Sequence, residues 1–309
     1  MTISNSTGLS IALRRAKRAI GRTGSNPAVG CFLVDKSSVA IALACTADSG
    51  RPHAEVLALE QAGELARGST AFVTLEPCAH FGETGPCCDS LIQAGVSKVV
   101  VGTSDMNPLV KGAGITRMRA AGIEVLELND EACTNHHLGF NRRVSGGPAR
   151  VTMKIATSLD GGMTKRNTYT RTYITGKESQ RQVHLLRAQC DVLITGRGTM
   201  ELDQPQLNVR LNGYDGPNPK VIVWKRKQEM ADLDANSVLI EAGPTLSSAL
   251  FDQIDELHWY RNSEVFGDNA VRPAFLRNNA LDFASDHPTF KLQSQRNFGS
   301  DVREVWLRG

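Results

Sequence analysis

The sequence predicts two α/β domains in a chain of 309 residues. Three observations support this prediction. At roughly 150 residues per domain, the length is enough for two hydrophobic cores. From residue 71 onward, short β-rich runs alternate with segments of helical periodicity, which is typical of layered α/β sheets. Residues 145–148 (SGGP) form the strongest interruption in the middle of the chain, and they place the boundary between domains 1–147 and 148–309.

Apolar spacing predicts the elements of each domain in order. The first domain has helices at 9–21, 54–66 and 87–94, a helix ending at 117–122, and strands at 28–35, 39–46, 71–75, 98–103 and 123–128. The first two of these strands are expected to form a hairpin. The second domain has strands at 150–157, 191–195, 221–224 and 237–240, and helices at 177–190 and 245–251.

The composition excludes several classes of protein. With 41% hydrophobic and 22% charged residues, the chain is an ordinary globular protein. A net charge of +3 is too small to indicate a nucleic acid or an anionic membrane as a partner. No apolar stretch approaches the roughly 20 residues that span a bilayer, and the first eight residues do not resemble a signal peptide. We therefore expect a cytoplasmic protein.

The residues that point most clearly to chemistry are His53 and Glu55, followed by Cys78 and Cys87. A catalytic zinc site takes three protein ligands of imidazole, thiolate or carboxylate type and keeps one position open for water. One histidine and two cysteines meet that requirement, and a carboxylate two residues after the histidine can shuttle protons without binding the metal. His-x-Glu followed by Pro-Cys is the signature of zinc-dependent nucleobase deaminases, although their two cysteines are usually spaced C-x-x-C rather than C-x8-C.

The alternative is a structural zinc site with Cys88 or His80 as an additional ligand. A closed structural site has no use for Glu55, and the adjacent Cys87 and Cys88 cannot easily face one ion, so we favour the catalytic site. An odd total of seven cysteines also argues against a disulfide framework. The remaining cysteines are expected to be small buried side chains: Cys31, Cys45, Cys133 and Cys190.

Several segments resemble the bifunctional deaminase–reductases of riboflavin biosynthesis: residues 25–30 (SNPAVG), 53–56 (HAEV), 73–80 (VTLEPCAH), 85–89 (GPCCD) and 105–110 (DMNPLV). The long C-x8-C spacing is that family's form. The resemblance implies a first domain with the three-layer α/β/α fold of cytidine deaminases. It also implies hydrolytic deamination of 2,5-diamino-6-ribosylamino-4(3H)-pyrimidinone 5′-phosphate as the first reaction.

The same resemblance assigns site residues by position. It places one zinc per chain on three ligands with a proton shuttle beside them: His53, Cys78, Cys87 and Glu55. It places four further residues against the substrate: Asn26, His80, Asp105 and Asn107. Structural roles are the alternatives, namely turn formation beside proline for Asn26 and Asn107, and loop stabilisation for His80.

Residues 151–161 resemble the start of that family's reductase domain, which is similar to dihydrofolate reductase. The predicted strand at 191–195 ends in a glycine-rich turn, and the one at 237–240 is followed by residues 243–245 (GPT) and a helix. A strand, a turn of small residues and a helix N-terminus together suit a dinucleotide phosphate. The resemblance implies NADPH as a cofactor near Ala156, Tyr173, Thr199, Asp203, Gly243, Pro244 and Thr245. A second set would face the phosphorylated ribosyl substrate: Arg171, Arg187, Leu207, Arg210 and Glu241. For Arg187 and Arg210 the alternative is a solvated surface arginine.

The chain departs from this family at three places. The segment 211–240 is short and holds one clear strand, where the family has further strand–helix units. A shortened sheet would leave an open edge that invites pairing with another subunit, and we expect a homo-oligomer, either a dimer or a tetramer. Arg171 stands where the family has a small serine, and Ala113 stands where an arginine is expected.

These observations lead to one main hypothesis and two alternatives. The main hypothesis is a zinc-dependent deaminase joined to an NADPH-dependent reductase, acting on a small phosphorylated pyrimidine. One alternative keeps the deaminase and treats the second domain as a degenerate reductase that serves as an assembly scaffold. The other is a nucleic-acid-binding or editing protein with a deaminase fold, and the near-neutral charge without a basic, aromatic stripe argues against it.

Overall fold

The computed structural model describes residues 3–81, 85–107, 111–165, 173–225, 229–267, 270–275 and 289–309. The chain divides into two compact units. Unit 1 contains Met1–Pro148 together with Asp234–Asn236, and unit 2 contains Ala149–Leu233 and Ser237–Gly309. The boundary predicted between residues 147 and 148 lies beside this division. No helix in the described ranges is long and apolar enough to cross a membrane.

Unit 1 is built on a five-stranded sheet. Its strands are β1 (Gly30–Val34), β2 (Ala40–Cys45), β3 (Thr70–Val73), β4 (Lys98–Val101) and β5 (Glu124–Glu127). Their order across the sheet is β2-β1-β3-β4-β5. β1 runs antiparallel to β2 and β3, whereas β3, β4 and β5 are parallel. The pairing of β1 with β2 confirms the predicted hairpin.

Helices cover both faces of this sheet. They are α1 (Asn5–Ala16), α2 (Ala54–Ala62), α3 (Cys87–Gln93), α4 (Ala113–Ala120), α5 (Glu131–His136) and α6 (Leu138–Val144). Successive residues of a strand point to opposite faces, and β1 shows this directly. Phe32 belongs to a buried cluster with Leu9 of α1, whereas Leu33 belongs to another with Ala58 of α2. Unit 1 therefore has three layers, α/β/α.

Unit 2 contains a seven-stranded sheet and a separate two-stranded ladder. The strands are β6 (Arg150–Thr157), β7 (Gly162–Lys165), β8 (Val192–Thr195), β9 (Lys220–Val223), β10 (Ser237–Glu241), β11 (Glu256–Arg261), β12 (Ala270–Pro273), β13 (Phe290–Phe298) and β14 (Asp301–Arg308). The order of the large sheet is β13-β14-β11-β6-β10-β8-β9, and β7 pairs with β12. The five strands from β11 to β9 in that order are parallel, while β14 and β13 run antiparallel at one edge.

Three helices of unit 2 position its candidate site: α7 (Lys177–Ala188), α8 (Arg197–Asp203) and α9 (Pro244–Ala249). α8 follows β8 and α9 follows β10, so both begin at the carboxyl edge of the parallel strands, where α/β sheets bind ligands. The start of α7 is held by Asp301, whose carboxylate accepts hydrogen bonds from the backbone of Gly176 (2.7 Å) and the hydroxyl of Ser179 (2.6 Å). This contact fixes the helix that carries Arg187.

Candidate functional site

His53, Cys78 and Cys87 come together in unit 1, although they are distant in sequence. His53 directly precedes α2, Cys87 is the first residue of α3, and Cys78 lies in the loop after β3. Nδ1 of His53 lies 3.2 Å from Sγ of Cys87 and 3.8 Å from Sγ of Cys78. All three ligand atoms lie within 4.8 Å of one another. Tetrahedral zinc, with Zn–N ~2.0 Å and Zn–S ~2.3 Å, separates such atoms by roughly 3.6–3.8 Å, so the cluster fits this ion.

The pKa values of the two thiols in the cluster are shifted in opposite directions. The hydrogen bond between them lowers the pKa of Cys78 to about 4 and, together with burial, raises the pKa of Cys87. The backbone N–H of Cys87 also donates to Sγ of Cys78 at 3.3 Å, which stabilises the thiolate. A divalent cation takes the place of the thiol proton when both cysteines act as ligands. The donor set therefore suits zinc chemically as well as geometrically.

Glu55 is the second residue of α2 and lies against the cluster. It is only 3% exposed, and its Oε2 atom is buried without a hydrogen-bond partner in the described residues. Burial raises the pKa of Glu55 to about 7, although the charge of His53 opposes this. A carboxyl group that titrates near neutrality, with one oxygen unpaired, is able to accept and return a proton.

The described structure does not add a fourth protein ligand to this group. Sγ of Cys88 is directed to the carboxylate of its neighbour Asp89, at 3.7 Å. His80 is exposed in the loop that follows Cys78. The arrangement therefore leaves a coordination position for water, as catalytic zinc sites do.

Asp105 and Asn107 lie in a loop that Glu76 holds in place. Oε2 of Glu76 accepts hydrogen bonds from the backbone N–H groups of Asp105 (3.3 Å) and Gly112 (3.1 Å). Oδ1 of Asp105 in turn accepts from the backbone of Asn107 at 2.8 Å. Burial raises the pKa of Asp105. The charge of Cys78 raises it further, whereas the charge of His80 lowers it. Sequence reasoning missed Glu76; its signal was a carboxylate directly before Pro-Cys at the end of a buried strand.

Asn26 was also predicted to face the substrate. In the structure it packs against Gly50. The backbone of Gly50 has φ +90°, and a Cβ atom there would lie 2.2 Å from Nδ2 of Asn26. Glycine is therefore required at this position, both for its conformation and for the approach of the amide. Because Gly50 lies three residues before His53, this contact links Asn26 to the chain that carries the histidine.

In unit 2, two of the residues predicted to face the substrate bind each other. Arg187 donates from Nε and from an Nη atom to the two carboxylate oxygens of Glu241, at 2.5 and 2.8 Å. Both side chains are buried, 8% and 10% exposed. Lys154 lies directly beside Glu241 in the register of β6 and β10, and burial lowers its pKa although Glu241 opposes this. Lys154 was also missed: polar and apolar residues alternate along β6 up to this position, so a lysine there gives no distinct signal in the sequence.

The loop after α8 carries Leu207 and Arg210. The side chain of Leu207, 3% exposed, packs in a buried cluster with Cys190 and Leu239. A contact between Leu207 and substrate would therefore have to use its backbone, whose φ is +50°. Arg210 is exposed and donates to the side chains of Gln206 (3.2 Å) and Asn208.

The residues predicted near NADPH lie on several elements of unit 2. The turn before α9 approaches the first turn of α8, since a Cβ atom on Gly243 would lie 3.9 Å from Oγ1 of Thr199. Pro244 and Thr245 begin α9, Asp203 ends α8, and Ala156 is buried in β6. Tyr173 is 57% exposed and acts electrostatically on Arg187. Arg171 lies outside the described residues.

Comparison with known proteins adds to this geometry. The family model described as "Cytidine and deoxycytidylate deaminase zinc-binding region" matches residues 3–103, and the one described as "RibD C-terminal domain" matches residues 149–233. The riboflavin biosynthesis protein RibD of Escherichia coli (strain K12) is 33% identical over an alignment of 357 positions, covering 94% of this chain and 96% of that protein. The chain belongs to the RibD family.

Solved RibD structures share the fold over the whole length of this RibD-family chain. RibD of Acinetobacter baumannii (form 1) is 32% identical with a TM-score of 0.87, and the match covers 99% of both chains. A Thermotoga maritima protein described as a diaminohydroxyphosphoribosylaminopyrimidine deaminase/5-amino-6-(5-phosphoribosylamino)uracil reductase is 28% identical with a TM-score of 0.85, again over 99% of both chains. The predicted family and fold class are confirmed: a bifunctional riboflavin-biosynthesis enzyme with a cytidine-deaminase-like domain followed by a reductase domain.

Proposed function

We propose that unit 1 hydrolyses the bond between the ring and one amine of 2,5-diamino-6-ribosylamino-4(3H)-pyrimidinone 5′-phosphate, which releases ammonia and leaves oxygen on the ring. The observation that carries this proposal is a cluster of three metal-ligand atoms beside the buried carboxylate of Glu55, one oxygen of which has no hydrogen-bond partner in the described residues. Zinc held by His53, Cys78 and Cys87 would supply Lewis-acid activation of the attacking water.

Glu55 would move protons in two stages. Its carboxylate first takes a proton from the attacking water and delivers it to the ring nitrogen next to the amine-bearing carbon. It then takes the second proton of that water from the oxygen now bound to the ring and transfers it to the amine, which leaves as ammonia. A pKa of about 7 suits a group that must both accept and donate near neutral pH. The polar groups of Asn26, His80, Asp105 and Asn107 would orient the pyrimidine and its ribose.

Unit 2 is proposed to reduce the ribosyl group of the deaminated product to ribityl. NADPH, near Ala156, Tyr173, Thr199, Asp203, Gly243, Pro244 and Thr245, would supply the hydride to C1′. Arg171, Arg187, Leu207, Arg210 and Glu241 would hold the phosphorylated sugar. The bond between C1′ and the ring oxygen breaks in this step, and that oxygen needs a proton. Lys154, partly buried beside Glu241, would hold that proton.

The same proposal covers the remaining properties of the molecule: one zinc per chain, a dimer or tetramer, and a cytoplasmic location. None of the seven cysteines is paired in a disulfide, which suits a reducing compartment. β9 forms an edge of the large sheet in the described residues, with Val221 and Val223 exposed. The alignment with the Escherichia coli protein spans 357 positions, more than the length of this chain, so it contains gaps in this chain; a shortened segment at 211–240 would account for such gaps.

A coupled assay on the diaminopyrimidine substrate tests both halves separately. Ammonia release and NADPH oxidation are followed in the same reaction, first with the zinc-loaded protein and then after treatment with a chelator. We expect chelation to abolish ammonia release and to leave NADPH oxidation intact when the deaminated product is supplied. Ammonia release without NADPH binding at millimolar cofactor would instead support a degenerate reductase, and binding of single-stranded RNA would support the editing alternative.

A further inference from the structure

Unit 1 includes a short segment from the second half of the chain, Asp234–Asn236, which lies directly before β10 in the sequence. Within unit 1 this segment contacts a turn formed by residues 23–26, here called the Asn26 turn. The backbone N–H of Asn26 donates to the carbonyl oxygen of Thr23 at 3.2 Å, and the hydroxyl of Thr23 donates to the carbonyl oxygen of Asn26 at 2.7 Å. The turn thus sets the backbone position of a residue proposed to face the substrate.

Two side chains bind the Asn26 turn, those of Asn236 and of Arg143 in α6. Nδ2 of Asn236 donates to the carbonyl oxygens of Gly24 at 3.2 Å and Asn26 at 3.4 Å. An Nη atom of Arg143 donates to the carbonyl oxygen of Ser25. Three successive carbonyl oxygens of the turn therefore each accept a hydrogen bond from one of these two side chains.

Asn236 and Arg143 also bind each other, which fixes the orientation of the Asn236 amide. Nε of Arg143 donates to Oδ1 of Asn236 at 2.8 Å. A guanidinium group can only donate and a carbonyl oxygen can only accept, so Oδ1 must face Arg143 and Nδ2 must face the turn. The side chain of Arg143 is only 21% exposed, which limits competition from water. Asn236 therefore acts as a donor to the turn.

We infer that Asn236 is a positioning residue for deamination, because it holds the Asn26 turn where the side chain of Asn26 can reach the pyrimidine. This inference rests on the proposed contact between Asn26 and the substrate. The side chain of Asn26 packs against Gly50, while its carbonyl oxygen is held by Asn236 and Thr23. Since binding groups lose their effect when displaced by about 1 Å, a turn without this support binds the substrate less well. The deaminase site then depends on a residue that the sequence places among the reductase elements.

An isosteric substitution separates support of the turn from attachment to Arg143. In Asn236→Asp, the carboxylate still accepts from Arg143, but the oxygen that replaces Nδ2 cannot donate to the turn. Asn236→Ala removes the same donor without adding a charge. Asp234→Asn is the matched control, since it makes the reverse exchange in the same segment at a side chain that is 84% exposed. All variants are studied as the full-length, zinc-loaded protein.

We expect Asn236→Asp and Asn236→Ala to raise KM for the diaminopyrimidine substrate about fivefold, with a smaller change in kcat, because substrate positioning is lost while the metal cluster and Glu55 are retained. Asp234→Asn should match the wild type. Hydrogen exchange in peptides that cover residues 23–26, followed by mass spectrometry, should be faster in both Asn236 variants. Zinc content, measured by elemental analysis, checks that each variant folds, and if Asn236→Asp loses zinc, Asn236→Ala decides by the same criteria.

Three results would overturn the inference alone: a wild-type KM in the Asn236 variants, unchanged hydrogen exchange in the Asn26 turn, or an equal rise of KM in Asp234→Asn. A rise in hydrogen exchange without a rise in KM would make Asn236 a purely structural residue, which also overturns it. Absence of ammonia release by the wild type is a different result. It would contradict the proposed deamination itself, and the inference would fall with it.

Discussion

Arg187 of α7 and Glu241 of β10 form a bidentate ion pair inside unit 2, with hydrogen bonds of 2.5 and 2.8 Å. Burial alone would raise the pKa of Glu241, but the hydrogen bond and charge of Arg187, helped by Lys154, lower it instead. One carboxylate therefore balances the buried Arg187 and the partly buried Lys154. This relationship ties the helix to the sheet at the point where both are proposed to meet the substrate.

Glu241→Ala is expected to destabilise unit 2 by about 3–5 kcal/mol, because it leaves the buried Arg187 without a counter-charge. The measurement is urea unfolding at neutral pH, followed by a probe in unit 2. The control is Glu201→Ala, which removes the exposed ion pair with Arg197, where the two side chains are 67% and 85% exposed. Equal unfolding midpoints for the two variants would show that the buried pair has no special role.

Glu55→Gln is expected to keep zinc and lose deamination by at least ~100-fold, because the amide cannot carry protons from water to the leaving amine. Zinc is measured by elemental analysis and turnover by ammonia release. Glu60→Gln, at an exposed position of the same helix, is the matched control and should retain full activity. Wild-type ammonia release by Glu55→Gln would refute the proposed proton transfer, and loss of zinc would indicate that Glu55 serves the metal site structurally.

Glu76 is expected to affect substrate binding rather than chemistry, since it holds the loop that carries Asp105 and Asn107. Glu76→Ala removes the acceptor for two backbone N–H groups, and we expect KM for the pyrimidine substrate to rise about tenfold with a smaller change in kcat. Glu76→Gln keeps one amide oxygen as an acceptor and should recover most of the affinity. Steady-state kinetics on the zinc-loaded variants decide this, and an unchanged KM in Glu76→Ala would contradict it.

Much of unit 1 could be predicted because its signals are local. The hairpin follows from two short apolar runs around a polar turn, and the metal cluster follows from residue types at a recognisable spacing. The first helix shows where local signals fall short. Apolar periodicity predicted it at 9–21, but Ser4 caps it early by accepting from the backbone of Thr7, and it ends at Ala16.

The sequence was less informative for unit 2, where the decisive contacts join distant residues. No element was predicted after residue 251, yet β11, β13 and β14 supply almost half of the large sheet. Their polar and charged side chains weaken the hydrophobic alternation that identifies strands, and pairing with β6 and with each other stabilises them instead. The same applies to Glu76 and Lys154, whose roles depend on partners that spacing along the chain does not reveal.

His137 is expected to make the stability of unit 1 depend on pH. It is 2% exposed, its Nε2 lies 3.0 Å from Oγ1 of Thr74, and burial, with a smaller effect of His136, lowers its pKa well below the usual range. The folded state thus disfavours the imidazolium form, whereas the unfolded chain binds that proton below a pH of about 6.5. The contribution of His137 to the free energy of unfolding of unit 1 should be fully present above that pH. Below it, this free energy should fall by roughly 1.4 kcal/mol per pH unit until the folded-state pKa of His137 is reached.

The measurement that checks this is the urea unfolding midpoint of unit 1 between pH 7.5 and 5.5 in the wild type and in two variants. His137→Gln removes the titrating group and can still pair with Thr74, so it should flatten the dependence even if it lowers stability at pH 7.5. His80→Gln, which changes an exposed histidine of the same unit, should keep the wild-type slope. If the slope survives in His137→Gln, another group is responsible, because a residue that no longer titrates cannot contribute to the proton uptake on unfolding.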